Sequence, residues 1–321
     1  LPYLNTPSAL ICGISGQDGA YLAQFLLSKG YRVVGSSRDA QGNSFSNLKR
    51  LAIRDSIELI SIDLEDFRSV LVGIKKSKPE EIYFLSGQSS VSLSFEQPAE
   101  TIQSFTVGVL NVLEAVKMMD YRIKVYHAGS SEAFGDTLGV AATEETPFQP
   151  RSPYALAKAS ATWLVNNYRE AYQLFACTGI LFNHESPLRP TRFVTQKIIS
   201  SSLRIANGSS EKLELGRLDI SRDWGWAPEY VEAMWTMLQQ DQPEDYIIAT
   251  GTSHSLQEFV ATTFAKLDMD WKDHVVQSPD LMRPTDLAIS KANPAKAAQR
   301  LGWKATKSME QVIEEMLKAN L

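Results

Sequence analysis

"ALICGISGQDGAYLAQFLLSKGYRVVGSS", residues 9–37, decides the fold. It opens on an apolar run of strand length and breaks at Gly13, Gly16 and Gly19. It then continues with apolar residues three and four apart, the spacing of an amphipathic helix, and closes on a second apolar run. Strand, glycine turn, helix and strand in that order predict one unit of an α/β sheet. The glycines are spaced G-x-x-G-x-x-G, one residue wider than the usual dinucleotide fingerprint. Glycine lets the backbone turn sharply and approach a pyrophosphate, whose charge is met by the N-terminus of the following helix. Gly13, Gly16 and Gly19, with Gln17 and Asp18 inside the turn, are the expected cofactor-binding residues.

The pattern repeats along the first half. "IELISID", "EIYFLSG" and "IKVYHAG" read as further strands separated by helical stretches, and 175–183 and 245–251 add two more candidates. This predicts a Rossmann-type, doubly wound parallel sheet with a smaller, interleaved C-terminal lobe. The expected boundaries are 1–183 plus about 229–251 for the dinucleotide-binding domain, and 184–228 plus 252–321 for the lobe.

Composition narrows the classes. A chain of 321 residues with a net charge of -5 has no footprint for nucleic acid. No apolar run approaches the roughly 20 residues that span a bilayer, so no membrane partner is expected. "LPYLNTPSAL" lacks a basic start and a long apolar stretch, which predicts no signal peptide. Cys12 and Cys177 sit in apolar, strand-like runs and read as buried thiols, in keeping with a reducing cytoplasm. The four histidines show no metal-ligand spacing, and no metal is expected.

At the end of the second strand an acidic residue takes ribose hydroxyls, whereas an arginine accommodates a 2′-phosphate. Here Arg38 and Asp39 are adjacent. The polar loop after Arg38 favours NADP, while Asp39 keeps NAD open. Asp63 and Leu64, at the end of the third strand, are placed to carry the adenine.

"RSPYALAKAS" puts Tyr154 and Lys158 four residues apart, on one face of a helix that Pro153 helps to start. Tyrosine, with a pKa near 10, is a poor base at neutral pH; a nearby ammonium favours its phenolate. "AGSSEAFG", 128–135, ends a strand in Ser130, Ser131 and Glu132. A serine suffices to hold a sugar hydroxyl. The glutamate one residue further on asks for a second acid–base task.

These phrases, with "TPFQPRSPYALAK", "NNYREAY", "GILFNHESP", "FVTQKI", "RDWGWAPEYVEAMW" and "PEDYIIATG", resemble the extended short-chain dehydrogenase/reductases acting on nucleotide sugars, and within them the GDP-mannose 4,6-dehydratases. The resemblance implies a homodimer or homotetramer that acts on a nucleotide-diphosphate sugar, GDP-mannose favoured. Tyr154 would deprotonate the sugar 4-hydroxyl as C4 gives a hydride to NADP, with Lys158 as its electrostatic partner and Ser130 holding O4. Glu132 would then remove the C5 proton, water would leave from C6, and the hydride would return there. The resemblance also assigns Leu85, Gln88, Ser89, His184 and Arg189 to the cofactor. Asn183, Lys197, Arg222 and Arg283 would hold the nucleotide diphosphate, with Ser90, Ser131 and Glu185 as further substrate contacts. The chain departs from the family pattern at Asp39, Glu100, Trp226 and "PTR", 190–192. A GDP-4-keto-6-deoxy-sugar reductase can carry the same Ser-Ser-Glu and remains an alternative, as does a non-catalytic NADP-binding regulator. A 4-epimerase has no use for Glu132.

Overall fold

The structure is a computed structural model that describes residues 6–320. The expected absence of a leader bears partly on residues 1–5, which lie outside the described residues. Along the chain come β1 (Ser8–Cys12), α1 (Gln17–Ser28), β2 (Arg32–Ser37), α2 (Ser46–Arg50), β3 (Glu58–Ser61), α3 (Phe67–Ser77), β4 (Glu81–Phe84), α4 (Val91–Glu96) and α5 (Pro98–Ile102). A π-helical turn (Gln103–Val107) leads into α6 (Gly108–Lys117), β5 (Lys124–Ser130), α7 (Pro153–Tyr172) and β6 (Ala176–Leu181). Next are β7 (Asn183–Glu185), α8 (Val194–Ala206), β8 (Leu213–Leu215), β9 (Ser221–Trp226), α9 (Ala227–Leu238) and β10 (Tyr246–Ile248). The chain ends with β11 (Ser253–Ser255), α10 (Leu256–Ala265), β12 (Val275–Gln277), α11 (Ala295–Arg300) and α12 (Met309–Lys318).

The seven apolar runs form one sheet, ordered β10-β6-β5-β4-β1-β2-β3. β1 pairs in parallel with both β2 and β4, and β2–β3 and β4–β5 are parallel too. Every residue of β1, β4 and β6 is buried, as a parallel sheet covered on both faces requires. The doubly wound α/β reading holds. Strand order reverses between β1 and β4, and ligands of such sheets bind outside the strand ends at that switch.

Two compact units divide the chain. The first comprises residues up to Ala133, Ser152–Ile180 and Val231–Tyr246; the second comprises Phe134–Arg151, Leu181–Tyr230 and everything from Ile247 onward.

In the first unit, Leu10, Val34, Ile82, Phe84, Val112 and Val125 centre a core under α3, α6 and α7. The late segment 231–246 is stitched in by polar contacts. Arg169 grips Asp245 with two nitrogens, at 2.8 and 3.1 Å, and Asp245 also accepts the amide of Thr178. Trp235 Nε1 donates to the hydroxyl of Tyr31, and Gln239 donates to Glu81. Helix α7 starts as its sequence directs. Ser152 accepts the amide of Ala155 at 3.0 Å, Pro153 takes the first helical position, and left-handed Gln173 ends the helix.

The second unit holds the three-stranded sheet β11-β9-β7 and the pair β12-β8. Ile198, Trp224, Phe259, Phe264, Val312 and Met316 fill its core. Both α10 and α12 open on capping boxes, Ser255 with Glu258 and Ser308 with Gln311. Residues 134–151 join this unit by backbone bonds from Thr137 to Ile289, Ala142 to Lys291 and Asn293 to Ala142. Among the described residues, no helix is long and apolar enough to cross a membrane.

Candidate active site

The turn after β1 has no room for a side chain at Gly13 or Gly19. Gly13 has φ +88°, and a Cβ there would lie 2.8 Å from the amide nitrogen of Ser86 and 2.9 Å from the carbonyl oxygen of Leu85. A Cβ on Gly19 would come within 2.6 Å of Ile14 Cα, so α1 seats directly on the turn. Gly16 caps α1 and brings no side chain to its first amides. Gln17 is buried and donates to Asp18 at 3.0 Å.

Beside this turn, at the ends of β2, β3 and β4, is a cavity of about 330 Å³. Of the expected cofactor residues, Arg38, Asp63, Leu64 and Gln88 line it. Leu85 contributes the backbone beneath Gly13, while Ser89 is exposed and not part of the wall. The rest of the lining includes Ser36, Ser37, Ile62, Glu65, Ser86 and Glu100. A glycine-bearing turn at a helix N-terminus beside a cavity with polar and apolar walls fits a dinucleotide.

The adjacent Arg38 and Asp39 have separate tasks. The Asp39 carboxylate accepts the amides of Gln41 and Gly42, both at 2.9 Å, and so closes its own loop. Arg38 is largely exposed on the cavity wall, with Nη2 3.7 Å from Glu65. Ser90 caps α4 by accepting the amide of Leu93 and exchanges hydrogen bonds with Gln88.

The four expected catalytic residues all lie in the first unit. Ser130 ends β5, and Ser131 and Glu132 continue in a 3₁₀ turn, where the Glu132 amide donates to Ser130 Oγ at 3.3 Å. Ser130 and Ser131 are buried and Glu132 is half-buried. Helix α7 packs on β5 and carries Tyr154 and Lys158, both buried. Lys158 Nζ donates to the Ala128 carbonyl oxygen at 2.7 Å. Burial pushes the Lys158 ammonium down to about 7, partly offset by the Asp18 carboxylate across from it. Buried His127, on β5, is held well below its usual range by desolvation and then by Lys158.

Sequence reasoning missed Phe105. The π-helical turn presents its ring to Lys158, with Nζ 4.0 Å from the centroid, and edge-to-face to Tyr154 at 5.5 Å. A π turn shifts the helical phase, so regular spacing of apolar residues does not announce it.

In the second unit, Asn183, His184 and Glu185 form β7. The His184 ring stacks on Tyr230 with centroids 4.5 Å apart, and its Nδ1 lies 2.7 Å from the Phe182 carbonyl oxygen. Glu185 is buried, accepts the Thr195 hydroxyl at 2.7 Å and pairs with Arg189 at 3.2 Å. Lys197 is half-buried and donates to the Glu214 carbonyl. Arg222 is buried, donates to the Leu287 carbonyl at 2.8 Å and pairs with Asp286 at 3.2 Å. Arg283 reaches the same carboxylate at 3.6 Å.

A parallel doubly wound sheet with a glycine turn, a hydroxyl-bearing fifth strand and a Tyr-x-x-x-Lys helix is the arrangement of the extended short-chain dehydrogenase/reductases. The solved dTDP-glucose 4,6-dehydratase of Streptomyces venezuelae shares the fold, with a TM-score of 0.87 at 18% identity over 97% of this chain and 96% of that one. Residues 10–316 match the GDP-mannose 4,6 dehydratase family. GDP-mannose 4,6 dehydratase 1 of Arabidopsis thaliana is 44% identical over 98% of this chain and 89% of its own. The Homo sapiens GDP-mannose 4,6 dehydratase is 42% identical over 98% and 91%. The chain belongs to the GDP-mannose 4,6-dehydratase family.

Proposed function

We propose that the protein is an NADP-dependent 4,6-dehydratase that converts GDP-mannose to its 4-keto-6-deoxy product. This reading is supported by two distinct acid–base groups borne on or next to neighbouring elements. Glu132 follows Ser130 at the end of β5, and α7, which bears Tyr154 and Lys158, packs on that strand. A simple reductase needs the tyrosine alone.

On this reading Ser130 holds the sugar O4 and Tyr154 takes the 4-hydroxyl proton, its phenolate favoured by the Lys158 ammonium. The dinucleotide, when bound, accepts a hydride from C4 and returns it at C6. Once C4 is a ketone the C5 proton is acidic, and Glu132 removes it and supplies a proton as water leaves C6. Gly13, Gly16, Gly19, Arg38, Asp63, Leu64 and Gln88, all of the first unit, hold the dinucleotide. Asn183, Lys197, Arg222 and Arg283 hold the nucleotide diphosphate, since guanidinium forks suit phosphate oxygens. NADP is favoured over NAD because Asp39 is engaged by two loop amides, whereas Arg38 reaches the cavity wall. Helix α7 leaves Leu156 and Trp163 exposed at 48% and 63%. These apolar side chains support a homodimer built on that helix. The two buried, unbridged thiols, Cys12 and Cys177, support a cytoplasmic protein.

The test is incubation of purified protein with GDP-mannose and substoichiometric NADP, with products read by mass spectrometry. Loss of one water over many turnovers without accumulation of NADPH is expected. Untouched GDP-mannose, together with stoichiometric oxidation of NADPH by a 4-keto sugar, would replace this reading with the reductase.

A further inference from the structure

We propose that Phe105 is a positioning residue, whose ring supplies the second partner of the buried Lys158 ammonium and keeps it charged beside Tyr154. This rests on the tyrosine–lysine reading above.

The surroundings of Lys158 leave its charge thinly supported. Nζ makes one hydrogen bond, to the Ala128 carbonyl oxygen. Among the described residues, no carboxylate lies within ion-pair distance of it. The charged and titratable groups facing it are Asp18 from α1, His127 from β5 and Tyr154 from its own helix, whose ring centroid is 5.9 Å away. His127 is itself held neutral by burial and offers no negative charge. What remains is the face of Phe105, 4.0 Å from Nζ. A cation over an aromatic face gains more when both are removed from water, and Phe105 is 1% exposed.

The ring is held from three sides. Tyr154 meets it edge-on at 83°. Val91 packs against the same cluster. Gly87, at φ +132°, lies so close that an added Cβ would overlap the ring. Phe105 therefore links the loop after β4, which lines the cavity, to both members of the Tyr154–Lys158 pair. The π turn at 103–107 presents it there, in a conformation that recurs at functional sites.

Burial already lowers the Lys158 ammonium to about 7. Without the aromatic face it loses its proton at lower pH, and a neutral lysine no longer favours the Tyr154 phenolate. The test replaces Phe105 with 3,4,5-trifluorophenylalanine, which keeps the shape and removes most of the negative potential of the ring face. Phe105→Leu serves as a second variant. In lysine-labelled apoprotein, the NMR titration midpoint of Lys158 (assigned by its loss in Lys158→Met) is expected to fall by roughly 0.5 to 1.5 pH units. The basic limb of kcat/KM is expected to move down by the same amount.

An unmoved midpoint in the fluorinated protein overturns the proposal, as does a midpoint that moves while the basic limb stays fixed. Turnover of Lys158→Met checks the underlying reading separately. Full activity in that variant sinks the tyrosine–lysine assignment, whatever the titration of Lys158 gives.

Discussion

Lys158 reaches from α7 to the carbonyl oxygen of Ala128, two residues before Ser130, so one 2.7 Å hydrogen bond fixes the helix to the end of β5. The contact has a thermodynamic cost, because it holds an ammonium in a fully buried place. Its folded value of about 7 lies below the usual 10.5. Between those values the unfolded chain binds more protons, so stability rises with pH across that window and the cost is full below it. The apo Lys158→Met variant is therefore expected to melt at or above wild type near neutral pH. That advantage should shrink toward pH 10, while turnover falls about 10²–10⁴-fold. Calorimetry across the pH range checks the sign, and a pH-independent difference would contradict it.

Glu132→Gln separates the two halves of the proposed reaction. Ser130, Tyr154 and Lys158 remain, so oxidation at C4 continues while proton removal from C5 slows by about 10²–10⁴-fold. Stopped-flow absorbance on mixing with GDP-mannose and NADP is expected to show reduced nicotinamide building up to enzyme concentration. Wild-type turnover without build-up would remove Glu132 from the chemistry.

The loop after β2 makes a prediction about cofactor choice. Losing a charged hydrogen bond to a 2′-phosphate costs about 10–100-fold, so Arg38→Ala should raise the KM for NADP by that order and leave NAD unaffected. Asp39→Ala removes the carboxylate that accepts Gln41 and Gly42. Steady-state kinetics should find the NADP-to-NAD preference of that variant unchanged. A selective loss of NAD use would mean that Asp39 takes the ribose hydroxyls.

Asp286 is the counter-charge of buried Arg222 and also meets Arg283. Removing one partner of a buried pair strands the other, at about 3–5 kcal/mol. Asp286→Ala is expected to lose stability of that order in urea unfolding of the full chain. Asp286→Asn, which keeps an acceptor for the guanidinium, should lose less.

How far the sequence carried differs by element. Strands β1, β4 and β6 are buried throughout, so their sequences are mostly apolar, with Ser8, Glu81 and Thr178 as the polar members, and can be read locally. Tyr154 and Lys158 were legible because helical spacing puts them on one face. The roles of Arg38 and Asp39 were not separable from adjacency. Only the geometry distinguishes a loop-closing carboxylate from a ribose ligand. The pairing of Arg222 with Asp286, 64 positions apart, has no local signal. Phe105 was hidden by the π turn, which breaks the periodicity that would have announced its orientation.

The order of strands in the sheet also bears on how the protein is made. β10 lies beside β6 at the sheet edge, and Val231–Tyr246 belongs to the first unit. A nascent chain that has emerged only as far as β6 has the other six strands but lacks their last neighbour and the Asp245 grip on Arg169. β6, buried throughout in the finished fold, then offers an unpaired edge to other nascent chains. The sheet of the cofactor half can therefore be completed only once β10 has left the ribosome, about three-quarters of the way through synthesis.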